Sequence, residues 1–387
     1  MKKFLALIGA VALAISAGAA EAGIDVRIQL DTFGFPKAVP VYVTGYSGEV
    51  DRVLRFDLSF MGFEIVNDRK AATYVIQKNS AAGVGATVLD TKYNKAFSGG
   101  SPRQQTHALA DDLAQTLLHQ PGIAQTRIAF VAQPHGYGVG EVYVADFDGF
   151  NASPVTRDGV IVHTPAWAGK NALLYMSFKL ANKADILFHD IGSGSRRPFA
   201  KYPGQNVSPS VSPNGKRVAM ILSKSGNPEL VVCDIDGGNL KQLTKGKDSV
   251  SSPCWSPDSS KICFSSRVSG LSALYTIPAS GGTPTRLFGG SSPTEPDWSP
   301  DGKYVVCTTQ SRSGFQIVVI GVEGPGRGQS KTICAGEDPV WAPNSRAVMI
   351  VRSVNNRGRL ALLDVPSGTV KDLAPFNGGA AEPSWAR

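Results

Sequence analysis

The chain has 387 residues, enough for two domains, and 42% hydrophobic residues, enough for a substantial core. Its 42 Gly and 25 Pro imply many turns and argue against a protein of long helices. The formal net charge of +8 is scattered, with Arg196-Arg197 the only arginine doublet and no basic stretch interleaved with aromatics, so a nucleic-acid surface is not expected.

Residues 1–22 read as a secretory signal peptide. Lys2 and Lys3 precede an apolar run from Phe4 to about Ile15, and small residues lead to Ala20-Glu21-Ala22, an A-x-A cleavage site. The alternative is a buried helix or an uncleaved anchor, but the run is too short to cross a bilayer comfortably. No Cys stands at the cleavage point for lipid attachment, and no later segment offers about 20 uninterrupted apolar residues. An exported, soluble chain beginning at Gly23 is expected, with a formal charge of +7 once Lys2, Lys3 and Glu21 are removed.

Residues 23–122 predict a small α/β domain. Residues 24–30 alternate apolar and polar side chains as a half-buried strand does, and residues 39–43 read as a second extended segment. Val50, Val53, Leu54 and Leu58 then fall at helical spacing, extended by Phe60 and Met61. Residues 63–66, 74–76 and 86–89 read as further strands. A second helix opens at Ser101-Pro102, a capping Ser followed by Pro in the first turn, and stops at Pro121-Gly122. It carries His107, Asp111 and Asp112, for which a solvated helix face is expected rather than a metal site; no catalytic constellation is found here.

Residues 123–387 repeat. A Pro two positions before a Trp or an equivalent apolar residue occurs at Pro165, Pro209, Pro253, Pro296, Pro339 and Pro383, with separations of 44, 44, 43, 43 and 44 residues. Turns of the type Ser299-Pro300-Asp301-Gly302 follow most of them. A second series of turn glycines runs through Gly149, Gly194, Gly237, Gly281, Gly324 and Gly368. Units of about 44 residues with four short strands are the signature of a β-propeller. Both series number six only if the strand around Pro383-Ser384-Trp385 completes the blade begun by residues 127–156. The prediction is a mainly β chain: a six-bladed β-propeller closed by its C-terminal strand and preceded by the small α/β domain.

Chemistry is sparse. No G-x-S-x-G, P-loop or H-E-x-x-H pattern is present. The Asp146-Phe147-Asp148-Gly149 and Asp234-Ile235-Asp236-Gly237 stretches lack the later Glu of a calcium loop and read as hairpin turns. The Trp residues read as packing between blades. Cys233, Cys254, Cys263, Cys307 and Cys334 show no C-x-x-C spacing and read mostly as buried hydrophobes, with a disulfide among the central repeats left open. No catalytic residue, cofactor site or metal site is assigned.

Function is expected at the mouth of the central channel. The pairs His163-Thr164, Val207-Ser208, Ser251-Ser252, Thr294-Glu295, Glu337-Asp338 and Ala381-Glu382 stand just before the inner strands. Half of them contain an acid. They could serve loop solubility, partner binding, or collection of a cation.

The segments Thr126-Arg127-Ile128-Ala129-Phe130-Val131, then residues 142–151, then Thr164-Pro165-Ala166-Trp167, together with the Trp-Ser-Pro-Asp-Gly-Lys turns, resemble the TolB family. A leader, a small α/β domain and a six-bladed propeller match that family over the full chain. The resemblance implies a periplasmic, non-enzymatic subunit of the Tol–Pal system that supports outer-membrane integrity and cell division, monomeric and attached to membranes only through partners. It implies that the lipoprotein Pal docks at the channel mouth on loops before the inner strands, which correspond here to Gln205, Asn206 and Ser208, and to Ser251 and Ser252. It implies that TolA engages the mature N-terminus, here Gly23, Ile24 and Asp25, where little free tail precedes the first strand pattern. The competing classes are a propeller that binds sugar or peptide, and a propeller lyase or peptidase.

Overall fold

The computed structural model describes residues 29–387, apart from 134–137, 181–182, 247–248, 269–270, 375 and 377. The expected leader, and Gly23, Ile24 and Asp25, lie outside the described residues. So does most of the strand expected over 24–30. Within its described end, Leu30 makes one isolated bridge to Pro36 and is 54% exposed, so no ladder forms there.

The first unit is a five-stranded sheet under two helices. Strand β1 (Val39–Thr44) alternates buried and half-buried residues, with Val39, Val41 and Val43 facing the core. Helix α1 (Gly48–Ser59) buries Val53, Leu54 and Leu58 and carries the chain over to β2 (Phe63–Ile65), which pairs parallel to β1 as such a crossover requires. Strand β3 (Tyr74–Lys78) is parallel to β1 on its other side, and β4 (Val84–Val88) and β5 (Asn94–Phe97) follow antiparallel. The order is β2-β1-β3-β4-β5. Helix α2 (Pro102–Leu118) starts with a full capping box, in which Ser101 and Gln104 satisfy each other's backbone N–H. It ends at His119, which adopts a left-handed φ of 54°.

One expectation for α2 is corrected. Its His107, Asp111 and Asp112 do not form a solvated face. His107 is 3% exposed and hydrogen-bonds Asp57 of α1 at 2.7 Å, because the opposite helix presents a buried carboxylate to it. Asp111 accepts the Ala124 N–H at 2.7 Å, and Asp112 accepts the Tyr93 hydroxyl at 2.7 Å.

The rest of the described chain forms six four-stranded antiparallel sheets. Their inner strands are Val162–Trp167, Asn206–Val211, Ser249–Trp255, Thr294–Trp298, Glu337–Trp341 and Ala380–Trp385. The last of these pairs antiparallel with Arg127–Ala132, with Ala380 opposite Ala132 and Trp385 opposite Ile128. C-terminal residues therefore supply the inner strand of the blade whose other strands come first in the propeller, and the ring is closed. We number the blades one to five from Val162–Trp167 to Glu337–Trp341, and call the last the closing blade.

Each inner-strand Trp packs against the blade before it. Trp255 joins Ala219, Ile221, Leu230 and Val232 of blade two, and its indole N–H donates to Ser210 O at 2.9 Å. Trp167 joins Val131, Val142 and Val144 of the closing blade and donates to Ser384 O at 3.1 Å. In blade two the smaller Val211 takes the place of Trp. The turns after Val211, Trp255 and Trp298 are held by a serine, and that after Trp341 by Asn344. The Ser299 hydroxyl donates to Asp301 Oδ1 at 2.6 Å and accepts the Tyr304 N–H at 3.0 Å, and Ser256 with Asp258 repeats the arrangement. The five cysteines are unbonded thiols, four of them buried.

These turns lie on the face of the ring against which the first unit packs. Phe35 stacks on Tyr304 at 4.2 Å, Asn344 Nδ2 donates to Phe60 O at 2.9 Å, and buried Arg346 donates to Pro36 O at 2.7 Å while paired with Asp364. One continuous apolar core runs from Val41, Leu54 and Leu113 to Met349, Leu362 and Trp385.

Deleting residues 381–387 removes the closing strand and the buried Trp385. The melting temperature should fall by on the order of 5–10 °C in differential scanning calorimetry. An unchanged melting temperature would refute closure by this strand.

Candidate functional site

Strand direction separates the two faces of the ring. Inner strands run toward the serine turns, so the starts of these strands lie at the opposite face, where the channel opens away from the first unit. The residue before each repeated proline is held in the left-handed region: Thr164, Ser208, Ser252, Glu295, Asp338 and Glu382 have φ between 50° and 52°. Six non-glycine residues in that region cost roughly 1–3 kcal/mol each unless the surroundings enforce it. A register shift in every inner strand accompanies them, one extra residue per blade. The expectation of loops before the strands is corrected accordingly: these residues sit within the strands, at bulges.

Three consecutive bulges are acidic and link blade to blade. Glu295 Oε2 accepts the Asp338 N–H at 3.2 Å, Asp338 Oδ2 accepts the Glu382 N–H at 2.9 Å, and Glu382 Oε2 accepts the Thr164 N–H at 2.5 Å. Glu382 Oε1 also holds His163 Nδ1 at 2.7 Å, and Thr308 donates its hydroxyl to Glu295 at 2.7 Å. Burial, then the Glu295 and Glu382 charges, push the Asp338 carboxyl well above its ordinary range. Burial and the Glu295 charge also raise Glu337. The hydrogen bond to Glu382 raises His163, outweighing its partial burial. The other three bulges, Thr164, Ser208 and Ser252, bring hydroxyls, and Thr164 Oγ1 is buried without a partner.

The mouth leads into a cavity of about 370 Å³ lined by all six bulge residues and their prolines. The residue between each Pro and Trp also lines it: Ala166, Ser210, Cys254, Asp297, Val340 and Ser384. Near the serine-turn end, the Arg387 guanidinium pairs with Asp297 and donates to Trp341 O at 3.1 Å. The result is a channel with an acidic half-ring, a hydroxyl half-ring and a cation farther in. Its chemistry is that of recognition, with charge, acceptors and hydroxyl donors converging on one opening.

Of the residues expected to bind a partner, Thr164, Ser208, Ser252, Glu295, Asp338 and Glu382 converge on the mouth. His163, Ser251, Thr294 and Glu337 adjoin them and are half-buried. Gln205 is exposed beside the second inner strand. Asn206 does not face a partner: it is fully buried and its amide donates to Tyr202 O at 3.0 Å and Ala184 O at 3.2 Å. Sequence reasoning missed Asp297 and Arg387. Strand alternation carried the signal, since a residue next to a Trp buried between blades points into the channel. Among the described residues no group of three or more His, Cys, Asp or Glu is placed to hold a metal ion, and no helix is long and apolar enough to cross a membrane.

Comparison with known proteins adds the family. The profile described as "TolB beta propeller domain" matches residues 115–387, from the last turns of α2 to the final residue. The chain belongs to the TolB β-propeller family. The Tol-Pal system protein TolB of Francisella tularensis is 27% identical over 276 residues, covering 67% of this chain. The matched region spans 62% of that relative's length. The protein of the same name from Pasteurella multocida is 34% identical over 138 residues, 35% of this chain and 31% of its own. The crystal structure of TolB from Acinetobacter baumannii superposes with a TM-score of 0.77 at 22% identity, covering 93% of this chain and 98% of that one, and so shares the two-part fold.

The blade-to-blade carboxylates make a pH prediction. A carboxyl raised above its ordinary value stabilises the fold in its protonated form. Its contribution is complete below the ordinary carboxylate range and is lost as pH rises through the elevated value. Asp338→Asn keeps an acceptor for the Glu382 N–H and removes that loss. Urea unfolding at pH 5 and pH 8 should show a pH difference smaller by about 1 kcal/mol or more in the variant than in the parent. Equal differences would contradict the assignment.

Proposed function

We propose that this chain is a periplasmic, non-enzymatic partner-binding subunit of the Tol–Pal system, docking the lipoprotein Pal at the channel mouth. The observation that carries this reading is the half-ring of Glu295, Asp338 and Glu382, with Glu337 adjoining it, across from the hydroxyls of Thr164, Ser208 and Ser252 at an opening turned away from the first unit. The relatives support it through their name, Tol-Pal system protein TolB.

The surroundings of the mouth favour a protein partner over a small molecule alone. Blades three, four and five have second and third strands of eight residues, against six in the other blades. In blades four and five these hairpins lie on the mouth face, at the same end of the blade as the acidic bulges Glu295 and Asp338. A docking loop can insert donors or a cationic side chain toward the carboxylates while its body rests on these hairpins. In this reading the chain reaches membranes through its partners, with TolA engaging Gly23, Ile24 and Asp25, and its part in outer-membrane integrity and division follows from those contacts.

The test is titration calorimetry of the mature chain with soluble Pal from the same cell. Micromolar or tighter binding is expected. Glu337→Gln, which touches none of the blade-to-blade hydrogen bonds, should weaken it by about three- to tenfold, and more at low salt than at high salt. Absence of binding at micromolar concentrations sinks the reading, and binding that Glu337→Gln and Glu382→Gln both leave unchanged moves the site elsewhere.

A further inference from the structure

The contact between the first unit and the propeller contains a buried ionic cluster unrelated to the channel. His107 of α2 lies edge-on between two carboxylates. Its Nδ1 is 2.7 Å from Asp57 Oδ2 on α1, and its Nε2 is 3.6 Å from Asp148 Oδ2. Asp148 belongs to the Asp146-Phe147-Asp148-Gly149 turn of the closing blade, so the imidazole joins the two units. His107, Asp57 and Asp148 are 3%, 0% and 9% exposed. Phe147 packs edge-on against the ring at 5.6 Å.

The valences of the ring decide its state. A neutral imidazole carries one N–H and one lone pair. If the hydrogen is on Nδ1, the Nε2 lone pair faces the Asp148 carboxylate. If it is on Nε2, the Nδ1 lone pair faces Asp57 at hydrogen-bonding distance. With both carboxylates ionised, either tautomer sets a lone pair against a buried carboxylate, and only a ring protonated on both nitrogens serves both.

The surrounding charges agree. From α1 come Asp57 and the half-exposed Glu49; from α2 come Arg103 and Asp111; from the propeller turn comes Asp148. Arg103 pairs with Asp148 and Glu49, while Asp111 is occupied by the Ala124 and Gln125 amides. Lys371 of blade five covers the Phe56 and Phe60 rings and bonds Ser59. With His107 charged, the four central groups Asp57, Asp148, Arg103 and His107 sum to zero; with it neutral, a net negative charge is buried at the contact. Burial alone would lower the imidazole, but the hydrogen bond to Asp57 and the charges of Asp57 and Asp148 outweigh it and raise it. Burial likewise raises Asp57, so the Asp57–His107 pair retains the one proton that lies between its carboxylate and Nδ1.

We propose that His107 is a proton-operated latch: as an imidazolium it bridges Asp57 of the first unit to Asp148 of the propeller, and loss of that proton loosens the contact between the two. A basic group held above its ordinary value contributes stability that is complete below the ordinary histidine value and is lost as pH rises through the elevated one. The latch loosens as pH climbs from the ordinary histidine value through the elevated one.

The test uses the mature chain labelled with 15N-histidine, the His107 signals being assigned by their absence in His107→Gln. At pH 7.5 an unperturbed imidazole is about nine-tenths neutral. The expected result is that both His107 nitrogens show imidazolium shifts at pH 7.5, and that Asp148→Asn, which keeps the ring in place, lowers the midpoint of its titration. The melting temperature of the parent should also fall between pH 6.5 and pH 9 by about 2–4 °C more than that of His107→Gln. A neutral His107 ring at pH 7.5, a midpoint that Asp148→Asn leaves unchanged, or parallel pH profiles in parent and His107→Gln would overturn the latch.

Discussion

The fold depends on one wedge, the large side chain that each inner strand sets against the blade before it. A four-stranded sheet cannot bury both faces alone, and its free edges invite further pairing. Trp167, Trp255, Trp298, Trp341 and Trp385 fill the gap between successive blades, and Val211 takes the position in blade two. A chain of such wedges is satisfied at every step only when the last blade meets the first. The pairing of Ala380–Trp385 with Arg127–Ala132 achieves that, and it sets Trp385 into the core shared with the first unit.

The same repeat that spaces the wedges builds the mouth. Each inner strand begins with a bulge whose left-handed residue turns toward the channel, and the proline behind it stiffens the backbone. The bulge needs only a fixed backbone, so its side chain is free to differ from blade to blade. Here three bulges are acids and three carry hydroxyls. The acids serve two ends at once: they tie neighbouring blades through backbone N–H groups, and they leave a local negative field on a chain whose net charge is positive. Asp338 is the middle of the three, raised by burial and by the charges of Glu295 and Glu382 on either side.

Architecture was legible in the sequence because it is periodic. The spacing of the prolines and turn glycines set the blade number, and the mismatch between the two series located the closing strand. Helix α2 could be read from Ser101-Pro102 because a capping box is a local signal. Strand β5 could not, since Asn94-Lys95-Ala96-Phe97 has no apolar alternation and its residues are largely exposed. Among the channel residues, those before the prolines were legible by position, while Asn206 was misread because burial at the first residue of an inner strand leaves no local trace. The pairing of His107 with Asp57 and Asp148 spans separations that no local pattern records, so a helical His with neighbouring acids looked like a solvated face. Alternation beside Trp298 pointed Asp297 into the channel, but its pairing with Arg387, 90 residues away, left no local trace.

The central claim is that the acidic mouth, and not the face that carries the first unit, receives the partner. Hydrogen–deuterium exchange of the mature chain with and without soluble Pal addresses it directly. The account predicts slowed exchange in peptides covering 163–165, 207–209, 251–253, 294–296, 337–339 and 381–383, with little change in β1 to β5. Protection confined to the sheet and helices of the first unit, or to the serine turns around Ser299 and Asn344, would contradict it.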